Sequence, residues 1–307
     1  MKKFLRQIVL VVFGISTGYA AIIYGLHKSG SRITNLDKYV LEKGHLYHRL
    51  SEADTTADVD VLFLGSSHAY RGFDPRIFKE TGLSSFNLGS SAQTPSQTLL
   101  LVDKYLYKLN PKLIILEVSP LFFKYLGQES TLDFIRNLPS TQFKLKFLWK
   151  GLDVFNFNSF LVSEIDQLVS GEKVFSTCCP TDTYVSGGFV ERAITYNKPS
   201  AFKKKKETKL LESQFENYHE LISLFETSKI KYLLVQAPVT TQYYNMYNQE
   251  EFEVALKGEH FYLDFNKMIE LNDSLDFYDS NHLNQHGVRK FNRILIEKIR
   301  ERRLINF

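Results

Sequence analysis

The sequence predicts an α/β fold, a three-layer α/β/α sandwich in which a parallel sheet of about five strands lies between helices. Two observations predict it: short apolar runs alternate with longer segments of helical periodicity, and small polar residues follow several of these runs. A third observation, an uncharged N-terminal stretch of about twenty residues, predicts an additional transmembrane helix. In sheets of this kind the functional site lies at the carboxyl ends of the strands.

The N-terminal stretch, residues 7–26, is uncharged and follows three basic residues. A bilayer crossing needs about 20 apolar residues, and a basic flank favours a cytoplasmic N-terminus with the rest of the chain exported. We therefore interpret residues 1–26 as a single-pass transmembrane anchor. A cleaved signal peptide is the alternative, with Gly18 and Ala20 as the small residues near its cleavage site.

The α/β fold is predicted over residues 59–307, after a stalk or N-terminal addition at 27–58 with helical periodicity from Leu36 to Leu50. Apolar runs bounded by polar residues are typical of buried parallel strands. The predicted strands are Val59–Leu64, Ser85–Leu88, Leu113–Val118, Ile230–Val235 and Phe261–Phe265.

Helical periodicity fills the gaps between these runs. Thr94 as N-cap and Pro95 at the first helical position introduce apolar residues that share one face as far as Leu109. The same pattern recurs at 211–225 and at 288–299.

Residues 121–202 are rich in aromatic residues and interrupt the alternation. We interpret them as an inserted helical cap over the site. The aromatic side chains could shape an acyl or glycan pocket, or form the core of a small subdomain.

Composition excludes several classes of protein. The 38 Lys and Arg residues against 34 Asp and Glu residues leave a formal charge of +4, too small and dispersed to indicate nucleic-acid binding. The only cysteines, Cys178 and Cys179, are adjacent and could close only a strained vicinal disulfide, so no disulfide framework is expected. Metal-ligand spacing is absent from the sequence, and we expect neither a metal nor a cofactor.

The first candidate motif is Leu64-Gly65-Ser66-Ser67-His68, at the end of the first predicted strand. Glycine permits a sharp turn, and the serine beyond it would present its hydroxyl and its N–H over the sheet edge. A turn followed by an N-cap serine gives the same pattern without chemistry.

The second candidate motif is Asp279-Ser280-Asn281-His282-Leu283-Asn284, before the last helix. An aspartate three residues before a histidine can hold the imidazole so that its other nitrogen acts as a base. The alternative is a polar loop in which Asn284 caps the helix and Asp279 makes a local turn.

The order of these motifs resembles the SGNH, or GDSL-type, hydrolases. The resemblance implies that Ser67 is the nucleophile, His282 the general base and Asp279 the acid that orients it. It also implies an oxyanion hole formed by the backbone N–H groups of Ser67 and Ala92, since Ala92 stands at the family's glycine in the block Asn87-Leu88-Gly89-Ser90-Ser91-Ala92.

Besides Ala92, the chain departs from the family at two further points. Ser66 replaces the aspartate before the nucleophile, and Leu116-Glu117-Val118-Ser119-Pro120 stands where the family has Gly-x-Asn-Asp. Losing one oxyanion donor costs about a hundredfold to a thousandfold in rate. The departure disfavours fast general hydrolysis and leaves room for a specialised transferase.

Together with the anchor, this departure resembles the extracytoplasmic proteins that work beside membrane-bound O-acyltransferases. The resemblance implies that an acyl-serine passes its acyl group to an envelope glycan, a lipid-linked acceptor or water. The alternative is a catalytically silent scaffold of the same fold that binds glycan or a membrane acyltransferase.

Overall fold

A computed structural model describes residues 1–33, 45–138, 140–151, 153–170, 181–198, 209–256 and 261–306. The chain forms two compact units, 1–42 with 131–176, and 43–130 with 177–307. The elements in chain order are α1 (Lys2–Lys28), α2 (Leu46–Ala53), β1 (Val61–Leu64), α3 (Ser67–Gly72), α4 (Pro75–Lys79), β2 (Ser85–Asn87), α5 (Pro95–Leu109), β3 (Leu113–Glu117), α6 (Pro120–Lys124), α7 (Gln128–Asn137), α8 (Thr141–Lys150), α9 (Val154–Ser170), β4 (Asp182–Val185), β5 (Phe189–Arg192), α10 (Glu212–Thr227), β6 (Lys231–Gln236), α11 (Thr241–Tyr244), α12 (Gln249–Ala255), β7 (Tyr262–Asp264) and α13 (Gln285–Glu301).

The larger unit contains a parallel five-stranded sheet in the order β2-β1-β3-β6-β7. All five strands lie within one or two residues of the predicted apolar runs, so the predicted α/β class is confirmed. The chain leaves β1 for the edge strand β2 and returns to β3 on the other side of β1. The strand order therefore reverses between β1 and β3, and in open α/β sheets ligands bind at the carboxyl ends of the strands beside such a reversal.

Both faces of the sheet are buried, which explains why its strands are continuously apolar. Alternate residues of each strand point to opposite faces. Phe63 and Ile115 pack in one core cluster with Phe291 and Leu295 of α13. Their neighbours on the opposite face are buried as well, and α5 packs against α10. Strong local signals begin these helices. Thr94 is the N-cap of α5 and Pro95 its first residue, as predicted, and Gln97 forms a capping box with Thr94.

The smaller unit contains α1, α8 and α9. The helix α1 is long and apolar enough to cross a membrane, and most of its apolar side chains are exposed. Its orientation and the predicted boundaries at residues 26 and 58 stay predictions. Helices α8 and α9 form an antiparallel hairpin, in which the Lys144 ammonium lies 2.6 Å from Glu164 Oε1 and donates to Ser163 Oγ at 3.1 Å.

The segment 121–202 departs from the predicted helical insertion because it contains an antiparallel hairpin, β4–β5. Gly187 and Gly188 form its turn with φ of +92° and +85°, values that glycine adopts without strain. A Gly-Gly pair between β-prone residues is a hairpin signal that the sequence already contained. Of the helix predicted at 36–50, only the C-terminal part lies among the described residues, where it belongs to α2. Cys178 and Cys179 lie outside the described residues.

Candidate active site

The turn after β1 depends on Gly65. Its φ is +133°, and a Cβ at this position would lie 2.7 Å from Glu117 Cβ, closer than real Cβ contacts come. The next residue, Ser66, caps α3 by accepting the N–H of His68 at 3.3 Å. The non-catalytic interpretation of this motif, a turn with an N-cap serine, is therefore correct for Ser66. Ser67 follows as the first residue of α3 and is partly exposed.

The loop before α13 brings His282 to this turn. His282 Nε2 lies 2.8 Å from Ser67 Oγ, and His282 Nδ1 lies 2.9 Å from Asp279 Oδ2. Asp279 Oδ1 also accepts the backbone N–H groups of Asn281 and His282, at 2.9 and 2.8 Å. Asn284 caps α13. The carboxylate of Asp279 thus makes the local turn and contacts the imidazole at the same time, so the two sequence interpretations are compatible.

The electrostatics of this triad favour a neutral imidazole. Burial lowers the pKa of His282 to about 4, although the hydrogen bond and the charge of Asp279 act in the opposite direction. For Asp279, burial raises the pKa, but the hydrogen bond and charge of His282 outweigh it and bring the pKa to about 2. At neutral pH the Asp279 carboxylate accepts the Nδ1–H of His282. The Nε2 lone pair is then left to accept the hydroxyl proton of Ser67.

A second acidic group lies behind Ser67. Glu117, the last residue of β3, is fully buried and accepts the N–H and the hydroxyl of Ser66 on Oε2, at 3.2 and 2.8 Å. Its Oε1 lies 3.3 Å from His68 Nδ1. Burial raises the pKa of Glu117. The hydrogen bond and charge of His68 and the hydrogen bonds from Ser66 lower it by more, so the net shift of the pKa is downward. An ionised carboxylate therefore holds both neighbours of Ser67.

His68 connects Glu117 to the loop that carries His282. Its Nε2 lies 3.2 Å from Asn281 Nδ2, and its ring centroid lies 5.4 Å from that of His282. With Nδ1–H donated to Glu117, Nε2 accepts from the Asn281 amide. The roles of Glu117 and Asn281 were not predicted from the sequence. The available signal was an acidic residue at the end of a buried apolar strand, which is rare unless it is paired.

Two backbone N–H groups remain candidates for an oxyanion hole. In the part of the chain that the structure describes, neither the Ser67 nor the Ala92 N–H contacts an acceptor, whereas the Gly89 N–H donates to Asn87 Oδ1 at 2.9 Å. Ala92 has a left-handed φ of +46°. The oxyanion role of both groups stays a prediction.

The hairpin β4–β5 supports α3 from the side. Arg71 of α3 donates to Asp182 Oδ2 at 2.7 Å, and both side chains are buried. Arg49 of α2 donates to the carbonyl of Gly188 at 2.8 Å, and its guanidinium lies 4.5 Å from the ring centroid of Tyr70. Part of the segment that interrupts the α/β alternation thus holds the helix that begins at Ser67.

Comparisons with known proteins give structural similarity alone. No family model matches the chain, and no curated protein matches it. Among solved structures, it is similar to a "putative acylhydrolase" from Bacteroides fragilis NCTC 9343, at 13% identity and a TM-score of 0.42, over 84% of this chain and 96% of the other. A GDSL-like lipase from Bacteroides thetaiotaomicron VPI-5482 is similar at 12% identity and a TM-score of 0.42, over 84% and 98%. Similarity at this level carries no information on substrate or mechanism.

Proposed function

We propose that this protein is a serine-dependent O-acyl esterase or acyltransferase, anchored in the membrane through α1. The observation that carries the proposal is the chain of two contacts from Asp279 to His282 and from His282 to Ser67, at 2.9 and 2.8 Å. Nucleophile, base and orienting acid within hydrogen-bond distance of one another are what acyl transfer through serine requires.

In the proposed reaction, Ser67 Oγ attacks the carbonyl carbon of an ester while His282 Nε2 takes the hydroxyl proton. The tetrahedral intermediate collapses, the bond to the leaving alcohol breaks, and that oxygen receives the proton from His282. An acyl-serine remains. Water or an acceptor hydroxyl then attacks it, His282 again takes and returns the proton, and Ser67 is regenerated. The Ser67 and Ala92 N–H groups would stabilise the negative oxygen in both steps.

The acceptor we propose is an envelope glycan or a lipid-linked hydroxyl compound, with a membrane-bound O-acyltransferase as a candidate partner. Two features support this. The basic residues Lys2, Lys3 and Arg6 in the first turns of α1 favour an extracytoplasmic domain. Glu117 also occupies the region where the SGNH pattern has an oxyanion asparagine, and its oxygens are engaged by Ser66 and His68.

A fluorophosphonate probe tests the chemistry, because it phosphonylates a serine that a neighbouring base activates. We expect the full-length protein to be labelled, Ser67→Ala to lose the label, and Ser228→Ala, a change at the C-cap of α10, to keep it. Labelling that survives in Ser67→Ala would assign the reaction to another residue. Absence of label in the wild type would favour the silent scaffold.

A separate experiment tests whether water or an oligosaccharide hydroxyl receives the acyl group. After labelling succeeds, the protein is incubated with an aryl acetate, with and without an oligosaccharide acceptor. We expect acyl-Ser67 in intact-protein mass spectra and an acetylated oligosaccharide in the acyltransferase case. Release of acetate alone, at a rate that the acceptor leaves unchanged, would identify an esterase.

A further inference from the structure

The first turns of α9 have an inverted polarity. Val154 is 68% exposed, and Phe155 and Phe157 are exposed with it, while Asn156 and Asn158 are buried at 0% and 2%. A helix on the surface of a water-soluble protein has the opposite arrangement, with apolar residues inside. Apolar side chains outside and small polar side chains between helices are typical of helices that face lipid.

The contacts between α9 and α1 relate these exposed residues to the membrane. Tyr19 of α1 donates to Asn158 Oδ1 at 2.6 Å, and nine residues further along α1 the ammonium of Lys28 lies 2.8 Å from Asp166. The two helices therefore run side by side in the same direction. The charged pair lies at the C-terminal end of α1, and Val154 lies about 6 Å beyond Asn158 toward the middle of α1, at a rise of about 1.5 Å per residue.

The end of α8 presents further apolar surface beside that of α9. Trp149 is 80% exposed and Leu145 is exposed one turn before it. The pair Lys144–Glu164 lies at the opposite end of the hairpin, so its turn and the first half of α9 point away from that pair.

We propose that the turn of the α8–α9 hairpin, with Trp149, Val154, Phe155 and Phe157, inserts into the bilayer leaflet at the C-terminal end of α1. The proposal rests on α1 as the membrane span. Asp153 Oδ1 accepts the Asn156 N–H at 2.9 Å and caps α9. Leu168 and Val169, at the far end of α9, are also exposed but lie on the Asp166 side, outside the proposed insertion.

The sequence contains a single tryptophan, Trp149, so intrinsic tryptophan fluorescence reports on this hairpin alone. The full-length protein is reconstituted into phosphatidylcholine–phosphatidylglycerol vesicles with ordinary or brominated acyl chains. We expect a blue-shifted emission and a loss of about half of it or more with brominated chains, because bromine quenches tryptophan on contact and an inserted Trp149 would contact the acyl chains. Aqueous iodide should quench it weakly.

Two reporter proteins calibrate the measurement. Trp149→Phe with Phe13→Trp places the reporter in α1, and Trp149→Phe with Tyr107→Trp places it on α5, where Tyr107 is 87% exposed next to Lys108. We expect bromolipid quenching of the first and iodide quenching of the second. If the α1 reporter is quenched by bromolipid while Trp149 behaves like the α5 reporter, the proposal is wrong. If the α1 reporter is not quenched either, the premise fails and the proposal with it.

A substitution in the hairpin gives a second measurement. Val154→Glu with Phe155→Glu should abolish bromolipid quenching of Trp149, because two carboxylates cannot enter the acyl region cheaply. The matched control Gln142→Glu adds charge at the exposed start of α8 and should leave the quenching unchanged. A Trp149 that is shielded from both bromolipid and iodide would indicate a second copy of the chain on this surface, and would overturn insertion into lipid.

Discussion

The Glu117 carboxylate lies 3.3 Å from Nδ1 of His68, the residue that directly follows the candidate nucleophile. Its other oxygen accepts the hydroxyl of Ser66, the residue that directly precedes it, at 2.8 Å. One buried charge at the end of β3 therefore restrains the turn after β1 on both sides of Ser67. Side chains that orient reacting groups in this way affect the rate without touching the substrate.

Glu117→Gln tests this restraint with little change in volume. Removing the charge weakens the bonds from Ser66 and His68, and hydrogen bonds to charged groups contribute about 1.5–3 kcal/mol, so we expect kcat/KM for an aryl ester to fall about tenfold to a hundredfold. Thermal unfolding should show the variant still folded. Glu80→Gln, at the C-cap of α4, is the control. An unchanged kcat/KM would show that the charge of Glu117 does not affect the reaction at Ser67.

Asp279→Asn tests the contact between Asp279 and His282 while keeping the local turn that Asp279 makes. The asparagine Oδ1 can still accept the N–H groups of Asn281 and His282, so the loop should fold. Its amide would donate to His282 Nδ1 and place the imidazole proton on Nε2, where it blocks proton transfer from Ser67. If the proposed triad is catalytic, we expect kcat to fall about a thousandfold to ten-thousandfold, the effect of the same substitution in a known Ser-His-Asp triad. The control Asp273→Asn removes a carboxylate that contacts neither Ser67 nor His282, and its Oδ1 can still accept the Thr241 N–H, so kcat should stay within about twofold.

The pH dependence of kcat/KM reports the ionisation of the free enzyme. Burial brings the pKa of His282 to about 4, so the imidazole is neutral above that pH and its lone pair can accept the Ser67 proton. Below that pH the imidazolium cannot act as a base. We therefore expect activity on a non-ionising ester to hold from neutral pH downward and to decline with a midpoint near pH 4. A midpoint near 6.5, the ordinary value for histidine, would contradict this environment.

Gly65→Ala tests the geometry of the turn after β1. An alanine would adopt a disfavoured φ and would place its Cβ against Glu117, so we expect a loss of about 2–4 kcal/mol in the free energy of unfolding. Gly82→Ala is the matched control. Its φ of +87° carries the same kind of backbone penalty, but nothing lies within 4 Å of the added Cβ, and a loss of about 1–2 kcal/mol is expected. Equal losses for the two variants in urea unfolding of the detergent-solubilised proteins would show that the contact of the added Cβ with Glu117 does not contribute to the loss.

Local patterns in the chain were enough to predict the strands of the sheet and the helices α5, α10 and α13. Apolar runs, caps and prolines act over a few residues, so they are readable without tertiary information. The membrane-length helix α1 is equally local, because its length and lack of charge suffice. The β4–β5 hairpin was missed although its Gly187-Gly188 turn is a local signal too.

Contacts between distant parts of the chain depended on the fold. Glu117 meets Ser66 and His68 only because β1 and β3 are adjacent in parallel register, with Leu64 opposite Leu116. Asn281 reaches His68 across more than two hundred positions. The inverted polarity of α9 was likewise undecidable from periodicity, because a helix with apolar and polar faces does not reveal which face its neighbours cover. Burial and register are properties of packing, and packing is set by the whole chain rather than by any one segment of it.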